Sequence, residues 1–261
     1  MDGTLLNSKG EMPPDFPETF AAIKAQNIIF SAASGRQYFG LLDSFKEYQD
    51  DVLFLAENGS FVVHRGKEIY SNPIPKDDVT RIIAFARRII KEANGNIDIM
   101  VNGKKAAYYH THDQFFIDNV LLYCSRIQYV DNFDDIDDDI LKIAFFVKDS
   151  TATKVFAKFQ PLKGIYKTVL SSDCWIDVMK PNANKGDGLK HIMEKFNLKA
   201  DEVAAFGDYM NDYEMMQTAY HSYAMKNAFP DLKKAARYET EKTNDECGVT
   251  YTIKKILAEN K

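Results

Sequence analysis

The chain has little of what would mark a specialised environment. It holds one tryptophan and three cysteines in 261 residues. Cys124, Cys174 and Cys247 are odd in number and lack metal-type spacing, so free thiols in a reducing cytoplasm are expected. No apolar run approaches the ~18 residues that a membrane span requires. The first residues carry no basic stretch leading into an apolar one. Neither a membrane partner nor a secretory route is therefore expected. Basic charge is not in excess: 33 Lys and Arg stand against 38 Asp and Glu, a net charge of −5. That balance speaks against nucleic acid as a partner, while a local positive site for a small anion remains compatible with it. No internal repeat is visible.

What is present is the composition of a globular protein, 45% hydrophobic and 27% charged. Short apolar strands alternate with helical patterns through the first 76 residues. Pro13 and Pro14 lead into a helix with Phe16, Phe20 and Ile23 at helical spacing and Asp15 at its N-cap. Strands follow over residues 28–33 and 52–55. Residues 77–179 change character: an amphipathic helix carrying Val79, Ile82, Ile83, Ala86, Ile89 and Ile90 precedes a run of strand-like segments. The alternating pattern then resumes over 180–261. These patterns predict an α/β fold, a doubly wound parallel-sheet core in two parts (1–76 and 180–261) with an inserted α+β domain at 77–179. Parallel sheets bind ligands at the carboxyl ends of their strands, where Ser34 and Asn58 fall.

Four segments carry chemistry-bearing residues. Gly207-Asp208-Tyr209-Met210-Asn211-Asp212 places two carboxylates four residues apart just after a strand. Hard oxygen ligands so placed suit Mg²⁺; helix capping by Asp and Asn is the other reading. Lys185 opens a helix, where the dipole disfavours a cation. Either it fixes a phosphate or a carboxylate, or it is a solvated lysine. Ser34-Gly35 stands between a strand and a helix, a place for phosphate oxygens or for simple capping. Asp2-Gly3-Thr4 is half of an Asp-x-Asp-Gly-Thr phosphotransfer motif and also an ordinary turn sequence. His110-Thr111-His112 and the acidic stretch 131–139 are expected to be cap-surface strand or loop and solvated connector, with Trp175 in a core or a site wall.

Taken in order, Asp2-Gly3-Thr4-Leu5-Leu6-Asn7, Ala33-Ser34-Gly35-Arg36, Ala56-Glu57-Asn58-Gly59, Lys185-Gly186 and Gly207-Asp208 with Asn211-Asp212 resemble the haloacid dehalogenase superfamily, Cof-type (subfamily IIB) phosphatases. The resemblance spans essentially the whole chain and extends to residues 224–228 and 244–249. There Lys226 and Cys247 depart from the Gly and Asp more usual in the family. It implies a Mg²⁺-dependent phosphatase of small phosphorylated metabolites, sugar phosphates first, acting as a monomer or weak homo-oligomer. Asp2 would be the general acid/base and give its carbonyl to the metal. Asp208 would be the side-chain metal ligand with Asp212 beside it. Ser34, Gly35 and Asn211 would bind the phosphoryl group, and Lys185 would neutralise charge. The nucleophilic aspartate of that motif would stand one residue before Met1, at the end of an apolar strand about ten residues long. A shifted frame with Asp2 as nucleophile and Thr4 two residues on fits Leu5-Leu6-Asn7 less well. The chain as numbered is expected to be nearly inactive, with a gap at the centre of its sheet. The competing expectation is a non-catalytic relative that binds phosphorylated ligands without turnover.

Overall fold

Residues 1–6 form a tight turn in which the Met1 carbonyl accepts from the backbone N–H groups of Thr4, Leu5 and Leu6 at 3.2, 2.9 and 3.0 Å. The computed structural model describes residues 1–93 and 96–259. Helix α1 (Phe16–Ala25) starts at Asp15, but the Asp15 side chain does not cap it. That carboxylate instead accepts from Thr250 Oγ1 at 2.8 Å and pairs with Lys254 at 3.1 Å. The helix ends in a Schellman arrangement. Asn27 is left-handed (φ 56°), Asn27 N–H bonds to Lys24 O, and Ile28 N–H bonds to Ile23 O. Ile28 is thus committed to the helix end, and the strand expected over 28–33 is shortened to β1 (Ser31–Ala33). Ile28 and Ile29 are 47% and 38% exposed.

Helix α2 (Tyr38–Ser44) follows, then β2 (Leu53–Ala56), β3 (Phe61–His64) and β4 (Lys67–Ser71), in the sheet order β1-β2-β3-β4. β1 and β2 are parallel and β2 and β3 antiparallel. Arg65 and Gly66 both have positive φ, 52° and 68°, as a two-residue type I′ hairpin loop requires. The rings of Phe16, Phe20, Phe30, Phe45 and Tyr48 pack edge to face or tilted against one another at 4.9–6.1 Å.

The inserted segment runs α3 (Lys76–Glu92), β5 (Ile97–Gly103), β6 (Ala107–Tyr109), α4 (Gln114–Leu121), β7 (Ile127–Tyr129), β8 (Ile140–Val147), α5 (Ala152–Phe156), β9 (Lys167–Leu170) and β10 (Trp175–Met179). Its six strands form one sheet, β7-β6-β5-β8-β10-β9. The apolar stripe of α3 (Val79, Ile82, Ile83, Ala86, Ile89) joins Ile97, Ile99, Val101, Ile143, Phe145 and Val147 of that sheet in one core. Phe145 is fully buried. Phe145→Ala is expected to cost about 3–5 kcal/mol, read as a lower urea midpoint at unchanged slope. A cost under about 1 kcal/mol would contradict this packing.

His110 and His112 lie in the loop after β6, one of the two placements expected for them, their rings stacked on Tyr129 at 6.1 and 4.7 Å. One expectation for this segment is corrected. The acidic stretch is not simply solvated: Phe133 and Ile136 are buried. Asp138 accepts from Lys105 N–H at 2.7 Å and from the Tyr108 hydroxyl at 3.1 Å. Burial first, and then the Asp138 charge, push the Tyr108 phenol well above its ordinary range.

The chain closes with α6 (Lys185–Phe196), β11 (Ala204–Gly207), α7 (Tyr213–Thr218), β12 (His221–Ala224), α8 (Pro230–Ala235), β13 (Tyr238–Glu239) and α9 (Gly248–Glu259). β11, β12 and β13 form a parallel three-stranded sheet. By contacts the chain divides into two compact units. Met1–Gly35, Phe45–Tyr70 and Asn184–Lys261 form one; Arg36–Ser44 and Ser71–Ala183 form the other. In the first unit the parallel strands belong to two sheets, with β1 and β11 each at an edge. Among the described residues no strand joins them. The carboxyl ends of both meet the same turn. The Met1 amine donates to Ala33 O at 3.4 Å, and Thr4 Oγ1 donates to Asp208 Oδ1 at 2.5 Å.

Candidate active site

The site is assembled at that meeting point. Asp208 follows β11 directly and faces the first turn of the chain. Besides the Thr4 bond, its carboxylate lies so close to Gly3 that a side chain there would overlap it. Gly3 also has φ +66°. Asn227 Nδ2 donates to Gly3 O at 2.8 Å, and Asn244 Nδ2 donates to Leu6 O at 3.0 Å. The turn bearing Asp2 is thus tied down from the segments 224–228 and 244–249. Asp2 itself is exposed.

Lys185 and Asp212 are both buried, at 4% and 5% side-chain exposure, and Lys185 Nζ donates to Asp212 Oδ1 at 2.6 Å. The other oxygen of Asp212 accepts from the backbone N–H groups of Asp208 (3.0 Å) and Tyr209 (3.4 Å). Asp212 therefore holds Lys185 with one oxygen and the Asp208 loop with the other. Gly207 makes room for it, since a Cβ there would overlap the Asp212 side chain. Burial alone would raise the Asp212 carboxyl; the Lys185 charge beside it prevails and holds it below the usual range. For Asp208, burial foremost, with the Asp212 charge adding to it, pushes the carboxyl up against the pull of the Thr4 bond. A buried carboxylate beside a second carboxylate is one whose charge a divalent cation would relieve. Asp208 thus suits a hard cation. Among the described residues no three His, Cys, Asp or Glu side chains cluster to hold a metal, so such an ion would also need carbonyl, water or substrate oxygens.

Ser34 and Gly35 lie directly beyond β1. Ser34 N–H bonds to Leu55 O at 2.9 Å, and Asn58 N–H bonds to Ser34 O at 3.0 Å, which locks the loops after β1 and β2 together. Asn58 is left-handed (φ 54°), and its side chain accepts from Asn211 Nδ2 at 3.2 Å. It also presses on Gly35, where an added Cβ would lie 2.9 Å from Asn58 Oδ1. The geometry therefore groups Asp2, Asp208, Asp212 and Lys185 with the first turn, and links Ser34, Gly35 and Asn211 through Asn58. Sequence reasoning placed Asn58 on the rim without a role. It missed Thr4, Asn227 and Asn244 as supports, although each lies in a segment singled out for its pattern.

Helix α6 carries Lys185 at its first position, with Asn184 capping it through a 2.8 Å bond from Asp187 N–H. Gly59 fits beneath this cap: its φ is +91°, and a Cβ there would overlap Asn184 O. Gly59→Ala combines left-handed strain of about 1–2 kcal/mol with a backbone clash. It is expected to lower the melting temperature by more than about 5 °C and to weaken phosphate binding through a displaced Lys185; unchanged melting and binding would contradict it.

The chain matches the haloacid dehalogenase-like hydrolase family over residues 1–253. It is 32% identical over 260 residues to the 5-amino-6-(5-phospho-D-ribitylamino)uracil phosphatase YbjI of Escherichia coli, covering 98% of this chain and 94% of that one. A haloacid dehalogenase-like hydrolase from Bacteroides thetaiotaomicron superposes with a TM-score of 0.84 at 26% identity, over 98% of this chain and 96% of the other. A subclass IIB sugar phosphatase of the same superfamily shares the fold, with a TM-score of 0.78 at 21% identity over 98% and 96%. No helix among the described residues is long and apolar enough to cross a membrane. The chain belongs to the haloacid dehalogenase-like hydrolases, and its enzyme class is phosphoric monoester hydrolase.

Proposed function

We propose that this protein hydrolyses small phosphorylated metabolites in the cytoplasm, sugar or polyol phosphates above all, through an aspartyl-phosphate whose nucleophile directly precedes Met1. The observation that carries this reading is the convergence of the Met1–Thr4 turn, Asp208 and the Lys185–Asp212 pair at the carboxyl ends of β1 and β11. The E. coli relative is named for a substrate with a phosphorylated ribityl chain, which supports a polyol phosphate here.

In the proposed reaction the carboxylate before Met1 attacks phosphorus. A carboxylate O–P bond forms, the ester P–O bond breaks, and the Asp2 carboxyl gives its proton to the departing alkoxide. Asp2, now a carboxylate, takes a proton from water as the water oxygen attacks phosphorus and the carboxylate O–P bond breaks. Inorganic phosphate leaves and both carboxyl groups return to their starting states. Lys185 supplies fixed positive charge, held in place by Asp212, while Ser34, Gly35 and Asn211 position the phosphoryl oxygens. Mg²⁺, held by Asp208 and the Asp2 carbonyl with Asp212 beside it, would neutralise phosphoryl charge. The test is steady-state hydrolysis of ribitol 5-phosphate with Mg²⁺ and with excess EDTA, using the chain extended upstream by a strand ending in Asp. Turnover that EDTA abolishes is expected. No turnover, or full turnover in EDTA, would overturn the reading.

A further inference from the structure

The two groups assigned above to one cation, Asp208 and the Asp2 carbonyl, sit on different loops, and one side chain joins the backbones of those loops. The Asp208 loop is held by the stretch that follows β12. Met225 N–H bonds to Gly207 O at 2.9 Å, and Phe229 N–H bonds to Asp208 O at 2.8 Å. Asn227 lies midway between those two bonds and reaches the first turn instead: its Nδ2 donates to Gly3 O at 2.8 Å. Asn227 Oδ1 accepts from Asn244 N–H at 3.0 Å, which fixes the orientation of the amide. All of these residues belong to one compact unit.

Gly3 is the point in the turn where such a bond has most to fix. Its φ is +66°, and glycine has the widest backbone freedom of any residue. On one side of Asp2, the Met1 carbonyl is gripped by three N–H groups. On the other side, the Gly3 carbonyl is gripped by Asn227. The Asp2 backbone is therefore set between two anchored carbonyls. Asn244 at Leu6 O, and Asp245 at the Ser8 N–H and hydroxyl (2.7 Å each), tie the chain further along and from another segment. Thr4 also joins the turn to Asp208, but through the carboxylate rather than the backbone. Asn227 is exposed, so its bond competes with water and adds little stability. What it fixes is a spacing.

We infer that Asn227 is a positioning residue that sets the Asp2 turn against the Asp208 loop, and with it the affinity of the two for a hard divalent cation. The roles of Asp2 and Asp208 rest on the phosphatase reading above. Mg²⁺ demands near-ideal octahedral geometry, so oxygens from two loops serve it only when the loops keep their separation. Without Asn227, the turn keeps its internal bonds and its tie to Asn244. It loses the one side-chain link to the stretch that carries both Gly207 O and Asp208 O.

The test titrates Mn²⁺ into the full chain and reads free Mn²⁺ by EPR, since this ion takes the same carboxylate and carbonyl ligands as Mg²⁺. Asn227→Ala is expected to weaken Mn²⁺ at least about tenfold, while Ser8→Ala, which removes a bond further along the chain, stays within about twofold of the parent. A purely structural role would give a lowered melting temperature with Mn²⁺ affinity kept, or equal weakening in the two variants. Either result would overturn the inference, as would a parent chain that binds no Mn²⁺. Should Asn227→Ala fail to fold, Asn227→Ser decides by the same ratio. Binding is read without turnover. Selective weakening by Asn227→Ala, together with no hydrolysis by the chain extended upstream by a strand ending in Asp, would sink the phosphatase reading alone. Hydrolysis by that extended chain, with Mn²⁺ affinity indifferent to Asn227→Ala, would sink this inference alone.

Discussion

Lys185→Met is expected to lower unfolding free energy by about 3–5 kcal/mol and to remove phosphate binding as well. The stability loss comes from Asp212, not from the lysine's own packing. With both side chains buried and 2.6 Å apart, removing the ammonium leaves a carboxylate with neither water nor counter-charge. Its depressed pKa depends on Lys185. A carboxyl whose folded pKa lies below its unfolded value adds stability above the unfolded pKa and loses it as pH falls through the folded one. Without Lys185 that sign reverses: burial then raises the folded pKa, and the variant should become more stable on mild acidification while the parent becomes less so. The double variant Lys185→Met with Asp212→Asn separates the two roles. The amide that replaces the Asp212 carboxylate is neutral, and its oxygen can still accept from the Asp208 and Tyr209 N–H groups. Stability should therefore largely return while phosphate binding should not. Urea denaturation at two pH values measures the first effect and calorimetry with inorganic phosphate the second. A single-variant loss under about 1 kcal/mol, as for an exposed pair, would show that the pair is not buried in solution.

This pair also marks where the sequence stops being legible. A lysine at a helix start was readable as an oddity, because the dipole disfavours it. Its partner was not, because Asp212 lies 27 residues away and the contact depends on Gly207 leaving room. The loop positions of Ser34, Asn58 and Asp208 were readable because apolar strands end just before them. The length of β1 was not: Ile28 and Ile29 look like strand residues, yet the left-handed turn at Asn27 claims Ile28 for the end of α1. The β3–β4 hairpin carried a signal that went unread, Arg65-Gly66 after Val62-Val63. β12 (His-Ser-Tyr-Ala) has no apolar run to find, since its identity comes from pairing with β11. In the inserted unit the apolar stripe of α3 was plain. The common face of Asn102, Lys142 and Asp177 was hidden, because these stand on separate strands and share it only through register.

An upstream strand ending in Asp, joined directly to Met1, is expected to raise turnover by at least about 10³-fold over the chain that starts at Met1, given what loss of a nucleophile costs elsewhere. The same extension ending in Asn should stabilise the fold equally and leave turnover low. The structural reason lies in the two edges. β1 and β11 each pair on one side only within their sheets, and their carboxyl ends contact the same Met1–Thr4 turn. A parallel strand leading into Met1 would reach both and give each a partner. Parallel sheets are ordinarily paired and covered throughout, so both extensions should raise the melting temperature. The carboxylate at the junction would adjoin the Met1–Thr4 turn, which is bonded to Asp208 through Thr4. The Asp and Asn forms differ by one atom that matters: only the carboxylate can form the acyl phosphate and release it to water. Rapid quench with a labelled substrate should trap the phosphoenzyme in the Asp form alone. Equal turnover in the two extended forms would show that the nucleophile is elsewhere, with Asp2 the first residue to replace.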